Sequence, residues 1–285
     1  MEVCITNTFL PPGRHQVASV GAFSGKRNVE LGLKDKVAIV TGGTAGIGLA
    51  TALKFVQEGA RVAICARTAE SVARTVKLLQ DAGGEVFGKV ADISKPAEIT
   101  AFIAAVAGHF GRIDILVNNA GTSMRGPFLQ MTDADWESDL ELKLYGAIRC
   151  SREVIPHMKK QHGGRIINLA TIGGKQPAAS SMPTSVSRAA GLALTKALSK
   201  ELAGDNILVN AVCIGKIKAG QHEKTAKAKG QEMDAFYSDF AKDIPLKRVG
   251  EAEEAANVIV FLASSAASYV TGTSVNLDGG SSGVL

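Results

Sequence analysis

Val37-Ala38-Ile39-Val40-Thr41-Gly42-Gly43-Thr44-Ala45-Gly46-Ile47-Gly48 is the stretch whose reading decides the fold. A β-branched run passes directly into a glycine-rich turn, and Leu49 to Val56 continues with apolar residues at helical spacing. Strand, turn and helix in that order suit a dinucleotide. The glycines let the backbone approach a pyrophosphate, and the unpaired N–H groups at the helix start face its charge. Gly42, Thr44, Gly46, Ile47 and Gly48 are the first candidate cofactor contacts.

Outward from this turn, short apolar runs alternate with longer helical patterns. The expected strands are Val37–Thr41, Arg61–Cys65, Val86–Lys89, Ile113–Val117, Arg165–Leu169, Leu208–Val212 and Ser274–Leu277. The expected helices are Gly46–Gln57, Ala69–Asp81, Pro96–His109, Asp133–Lys160, Thr184–Ala203 and Ala252–Leu262. Near-continuous apolar strands separated by helices require a parallel sheet covered on both faces. The expectation is an α/β, doubly wound, Rossmann-type domain of about seven strands over residues 35–285. Residues 1–34, with Pro11, Pro12, Gly13 and Gly25, read as an irregular N-terminal arm. Residues 215–246 break the rhythm after a strand, where ligands bind in such sheets, and read as a substrate lid or a solvated helical excursion.

At 285 residues, 46% hydrophobic and 21% charged, the composition is that of a soluble globular chain. The net charge of +5 comes from scattered Lys and Arg, and aromatic residues, at 5%, are not interleaved with them, so nucleic acid is not an expected partner. Cys4, Cys65, Cys150 and Cys213 form neither a CxxC pair nor a metal-ligand spacing. No metal is expected, and a reducing, cytoplasmic location is. Asn257, Tyr269, Gly272 and Asn276 interrupt the uncharged stretch Ala255–Leu277 too often for a membrane span.

The second strand ends at Ala66-Arg67, with no carboxylate to accept from ribose hydroxyls and a guanidinium for a 2′-phosphate, which favours NADP(H) over NAD(H). Asp92 would accept from the adenine amino group or serve as a cap, although Ser94 is the better-placed cap for the helix opening at Pro96. In Asn118-Asn119-Ala120-Gly121, Asn119 would tie strand ends together, while Ala120 and Gly121 leave room for the adenine ribose. A purely structural turn role for Asn119 stays open.

These motifs resemble those of the short-chain dehydrogenase/reductase family in its single-domain form. The carriers are Thr41-Gly42 with Gly46-Ile47-Gly48, Asn118–Gly121, Pro245–Gly250 with Glu254, and Tyr269–Gly272 with Asp278-Gly279-Gly280, spanning about residues 34–280. The resemblance implies a carbonyl/alcohol oxidoreductase with Asn, Ser, Tyr and Lys at its centre, commonly a homodimer or homotetramer. It also sets Gly215 and Ile217 against the cofactor. Every one of the four central positions is altered: Lys143 stands for Asn, Thr171 for Ser, Thr184 for Tyr and Arg188 for Lys.

Thr171 keeps a hydroxyl. Arg188, which lies one helical turn beyond Thr184, reaches ribose hydroxyls but stays charged. Thr184 lacks the acidity of a phenol, and Tyr145, Tyr237 and Tyr269 offer no rescue. Lys143 is either a desolvated acid/base or anion anchor, or a lysine reaching out to water. His222, within the lid, is either a histidine facing solvent or a further candidate proton donor. Lys216 and Lys218 would restore charge lost where Ala219 replaces a hydroxyl. The function expected is an atypical NADP(H)-dependent oxidoreductase on a small, polar or anionic carbonyl, alcohol or activated alkene. The alternatives are a noncatalytic cofactor-binding or partner protein, or a non-redox lyase or dehydratase.

Overall fold

A computed structural model describes residues 30–219, 226 and 230–285. Most of the expected arm, and within the expected lid residues 220–225 with His222 and 227–229, lie outside the described residues.

The glycine turn joins β1 (Val37–Thr41) to α1 (Gly46–Gln57). The chain then runs through β2 (Arg61–Ala66), α2 (Ala69–Asp81), β3 (Val86–Val90), α3 (Pro96–Phe110) and β4 (Ile115–Asn118). A two-residue strand, β5 (Arg125–Gly126), precedes α4 (Asp133–Leu140) and α5 (Gly146–Lys160). Next come β6 (Gly164–Thr171), β7 (Met182–Pro183), α6 (Thr184–Glu201) and β8 (Ile207–Ile214). Finally α7 (Met233–Ala241), α8 (Ala252–Ala263) and β9 (Ser274–Leu277) close the chain.

Seven parallel strands form one sheet in the order β3-β2-β1-β4-β6-β8-β9. All five residues of β1 are buried, as a central strand covered on both faces requires. One core layer packs Phe102, Ile103, Val154 and Met158 of α3 and α5 against the sheet. The opposite layer packs Ala52, Phe55, Leu79 and Ile259 of α1, α2 and α8, and takes in Leu33 from the edge of the expected arm. Burial of each of the larger of these side chains contributes about 1.5–3 kcal/mol before its entropic cost. Strand order reverses between β1 and β4, and the carboxyl ends of those two strands therefore open a crevice.

The expected single helix over Asp133–Lys160 is interrupted. Glu141–Tyr145 forms a π turn between α4 and α5, the wide-helix device often found at functional sites. Within it Lys143 is buried and Tyr145 is 45% exposed, stacked under Arg149. Ser94 does not cap α3. Lys95 holds the N-cap position without a side-chain bond, while Ser94 donates to Asp92 and Glu98 accepts from the Asp92 backbone.

Candidate active site

The crevice is tied at its base by Thr41, whose Oγ1 accepts from the backbone N–H groups of Asn119 and Ala120 and donates to Val117 O. Asn119 Nδ2 donates to Thr41 O and Gly42 O, at 2.9 and 3.1 Å. Its side chain thus fastens β4 to the glycine turn. Gly48 packs here so tightly that a Cβ would lie 2.4 Å from Gly42 O.

Gly46 differs: it has φ +51° and nothing within 4 Å of where a Cβ would project. The α1 N-cap, Ala45, supplies no side-chain acceptor, and the first turn of α1 carries no acidic residue. An open glycine face beside uncapped helix N–H groups fits a pyrophosphate. Arg67 is exposed at the end of β2, and Asp92, across from it, is held below the usual carboxylate range despite partial burial because Ser94 donates to it and Arg67 and Lys95 lie nearby. Gly215 packs instead against Asp278, where a Cβ would lie 2.7 Å away, and Ile217 is buried and bridged to Gly250.

The reacting end is built where β6, the π turn and α6 converge. Thr171 ends β6 and is only part-buried. Arg188 Nη1 donates to Leu169 O at 2.6 Å, and a Cβ on Gly121 would lie 2.6 Å from Nη2. A side chain at position 121 would therefore displace the guanidinium. Arg188 Nε is buried without a partner, and no carboxylate forms a salt bridge with this guanidinium among the described residues. Burial lowers its pKa to about 10, so it stays charged at neutral pH.

Thr184 does not project an acidic group toward the crevice. Its Oγ1 accepts from Met124 N at 3.0 Å and donates to Met124 O at 2.7 Å, while β5 pairs with β7 alongside. Behind it, Lys143 Nζ donates to Thr184 Oγ1 at 2.7 Å and to Asp139 Oδ1. Ser187 Oγ donates to Asp139 Oδ2 at 2.6 Å. The Lys143 and Asp139 side chains have no exposure, which decides against a lysine reaching out to water. Burial pushes the Lys143 ammonium down to about 8, with Asp139 pulling it back up and Arg188 adding to the depression.

Lys143, Thr184 and Arg188 come together around this point. Asp139, Ser187 and Met124 complete the cluster and were missed by the sequence reading. The available signals were Asp139 four residues before Lys143 on the same helical rod and Ser187 three after Thr184. The lid-side lysines are engaged elsewhere: Lys216 donates to Phe240 O at 3.0 Å, and Lys218 pairs with Glu251 at 2.5 Å.

Residues 42–282 match the family model described as enoyl-(acyl carrier protein) reductase. An uncharacterised oxidoreductase of Bacillus subtilis, YvrD, is 40% identical over 260 residues, covering 88% of this chain and 98% of that protein. The L-sorbose reductase of Gluconobacter frateurii, solved with NADPH and L-sorbose, is similar at a TM-score of 0.87 and 34% identity, over 90% of this chain and all (100%) of that one. A short-chain oxidoreductase of Pseudomonas aeruginosa PAO1, solved with NADPH and containing an atypical catalytic centre, matches at a TM-score of 0.84 and 32% identity, over 88% of this chain and 100% of that one.

Proposed function

The chain belongs to the short-chain dehydrogenase/reductase family, as an oxidoreductase with an atypical catalytic centre, and on that premise we propose that it is an NADP(H)-dependent reductase of small polar carbonyl compounds. The observation that carries this reading is a charged Arg188 without a carboxylate partner among the described residues, donating to Leu169 O two residues before Thr171 closes β6. Gly42, Thr44, Gly46, Ile47 and Gly48 hold the pyrophosphate, Arg67 the 2′-phosphate and Asp92 the adenine. Ala120 and Gly121 border the ribose, with Asn119 fastening the turn beneath. Arg188 reaches the nicotinamide ribose, and Gly215 and Ile217 shape the wall of the nicotinamide pocket from behind. When bound, the cofactor supplies hydride to the carbonyl carbon.

Thr171 donates to the carbonyl oxygen, and the fixed Arg188 cation stabilises negative charge developing there, as oxyanion sites do. This lowers the demand for a strong acid in place of tyrosine. The proton comes from the Lys143 ammonium through the Thr184 hydroxyl. Residues 215–246 act as the lid on the substrate side, anchored by Lys216 and Lys218, and the basic site favours polar or anionic substrates. Homodimers or homotetramers form through α5 and α6, where Val186 is 43% exposed.

A panel of small polar ketones, enones and alcohols assayed with NADPH or NADP+ tests the proposal. Turnover is expected, and Thr171→Val should lower kcat/KM about 10- to 100-fold, the worth of a hydrogen bond to a charged oxygen, while Thr171→Ser restores it. Thr171→Val activity equal to the parent would exclude that role. A noncatalytic cofactor-binding role is favoured by one observation, the bonding of Thr184 on both sides to Met124, and binding of NADPH with no turnover on any substrate would select it.

A further inference from the structure

Asp139 is 3% exposed and gathers donors from two elements. Oδ1 accepts from Lys143 Nζ and, at 3.2 Å, lies beside Thr184 Oγ1, while Oδ2 accepts from Ser187 Oγ at 2.6 Å. A buried ammonium without a counter-charge would give up its proton. A buried ion pair is by itself weak evidence of a role, since apolar packing often stabilises as well. What sets this pair apart is the direction of its donors. Lys143 donates to Thr184, and the single Thr184 hydrogen has two acceptors within reach, Asp139 Oδ1 at 3.2 Å and, closer at 2.7 Å, Met124 O, in the segment that continues from the exposed Gly121, Thr122 and Ser123.

We propose that Asp139 is a positioning residue of the reduction, holding the Lys143 ammonium against the Thr184 hydroxyl so that a proton passes from Lys143 through Thr184 to the product oxygen. This rests on the reading of Lys143 as proton source. In the step, an N–H bond of Lys143 breaks as an O–H bond forms at Thr184. The original Thr184 O–H breaks as the product alkoxide becomes an alcohol. Lys143 is left as a neutral amine that regains its proton from water between turnovers, and Asp139 remains a carboxylate throughout. For the transfer, the Thr184 hydrogen turns from Met124 O to the substrate.

The charged groups facing Lys143 are Asp139 on its own helical rod and Arg188 on α6. From β4 and β6 the neighbouring polar groups are the neutral amides of Asn118 and Asn168. Lys143 acts while protonated, so activity should hold below its pKa and fall as pH rises through about 8.

The test is the pH profile of kcat/KM for Asp139→Asn, which keeps the shape and the acceptor for Ser187 but removes the charge. Its alkaline limb should move toward acid by about one pH unit or more, with NADPH affinity held. Asp139→Glu should move the limb back toward the parent. Should Asp139→Asn not fold, Ser187→Ala reads the same coupling with the opposite sign. Losing that donor makes the carboxylate more basic, and the limb should move toward alkali. A profile that superimposes on the parent in the variants that fold, while Lys143→Met still lowers kcat, would leave the pair merely structural and overturn the proposal. If Lys143→Met leaves kcat unchanged, the proton source itself has been misassigned and the proposal falls with it.

Discussion

At the scale of single residues, Thr184 and Arg188 stand at the positions where the family resemblance sets Tyr and Lys, so a phenol is missing and a fixed charge is present. Thr184 holds a loop backbone and cannot donate as a phenol does, whereas Arg188 is a permanent cation at the end of β6, which the proposed mechanism uses against the negative charge that develops on the carbonyl oxygen. Removal of one preorganised donor of this kind lowers kcat about 100- to 1,000-fold, and Arg188→Met should do so in single-turnover measurements. Gly121→Ala should produce a similar loss without touching the guanidinium chemically, because its Cβ would sit 2.6 Å from Nη2. Full activity in Gly121→Ala would show that the guanidinium position does not matter. Thr171, Thr184 and Arg188 were singled out through the family resemblance and its customary intervals, and the fold brings Thr184 and Arg188 to the same end of α6. Asp139 was not, because an acid on a polar-rich helix such as Asp133-Ala134-Asp135-Trp136-Glu137-Ser138-Asp139 looks solvated until the fold turns it inward.

At the scale of elements, the glycine turn and the π turn differ in how openly they announce themselves. The strands were readable because β-branched runs in a sheet buried on both faces have few alternatives. The glycine turn was readable because positive φ and close backbone approach need glycine, as at Gly46 and Gly48. Gly46→Val should therefore abolish NADPH binding, read by calorimetry, while circular dichroism stays that of the parent. Binding at parental strength would remove the pyrophosphate from this turn. The π turn left no such mark. Glu141-Leu142-Lys143-Leu144-Tyr145 is compatible with an ordinary helix throughout, and what distinguishes the wider form is the Gly146 N–H reaching back five residues to Glu141 O. The absence of a side-chain cap at Lys95 was hidden for a related reason, since the Glu98 carboxylate accepts from the Asp92 backbone N–H across the turn.

At the scale of the whole molecule, one sheet brings distant stretches to one edge. The switch between β1 and β4 opens the crevice, β6 carries Thr171 to its rim, and α6 returns Arg188 beneath it. Both core layers hold this alignment, which the proposed function reads as a cofactor lying across the first turn with its reactive end toward Thr171 and Arg188. The proposed preference for NADP(H) rests on the β2 end, where Ala66 puts no carboxylate at the close of the strand and Arg67 is exposed. Calorimetric titration with NADPH and NADH, on the parent and on Arg67→Glu, tests this placement most directly. Saturable binding is expected, with NADPH favoured at least about tenfold and that preference lost in Arg67→Glu. No saturable binding of either dinucleotide, or a parent that prefers NADH, would contradict it.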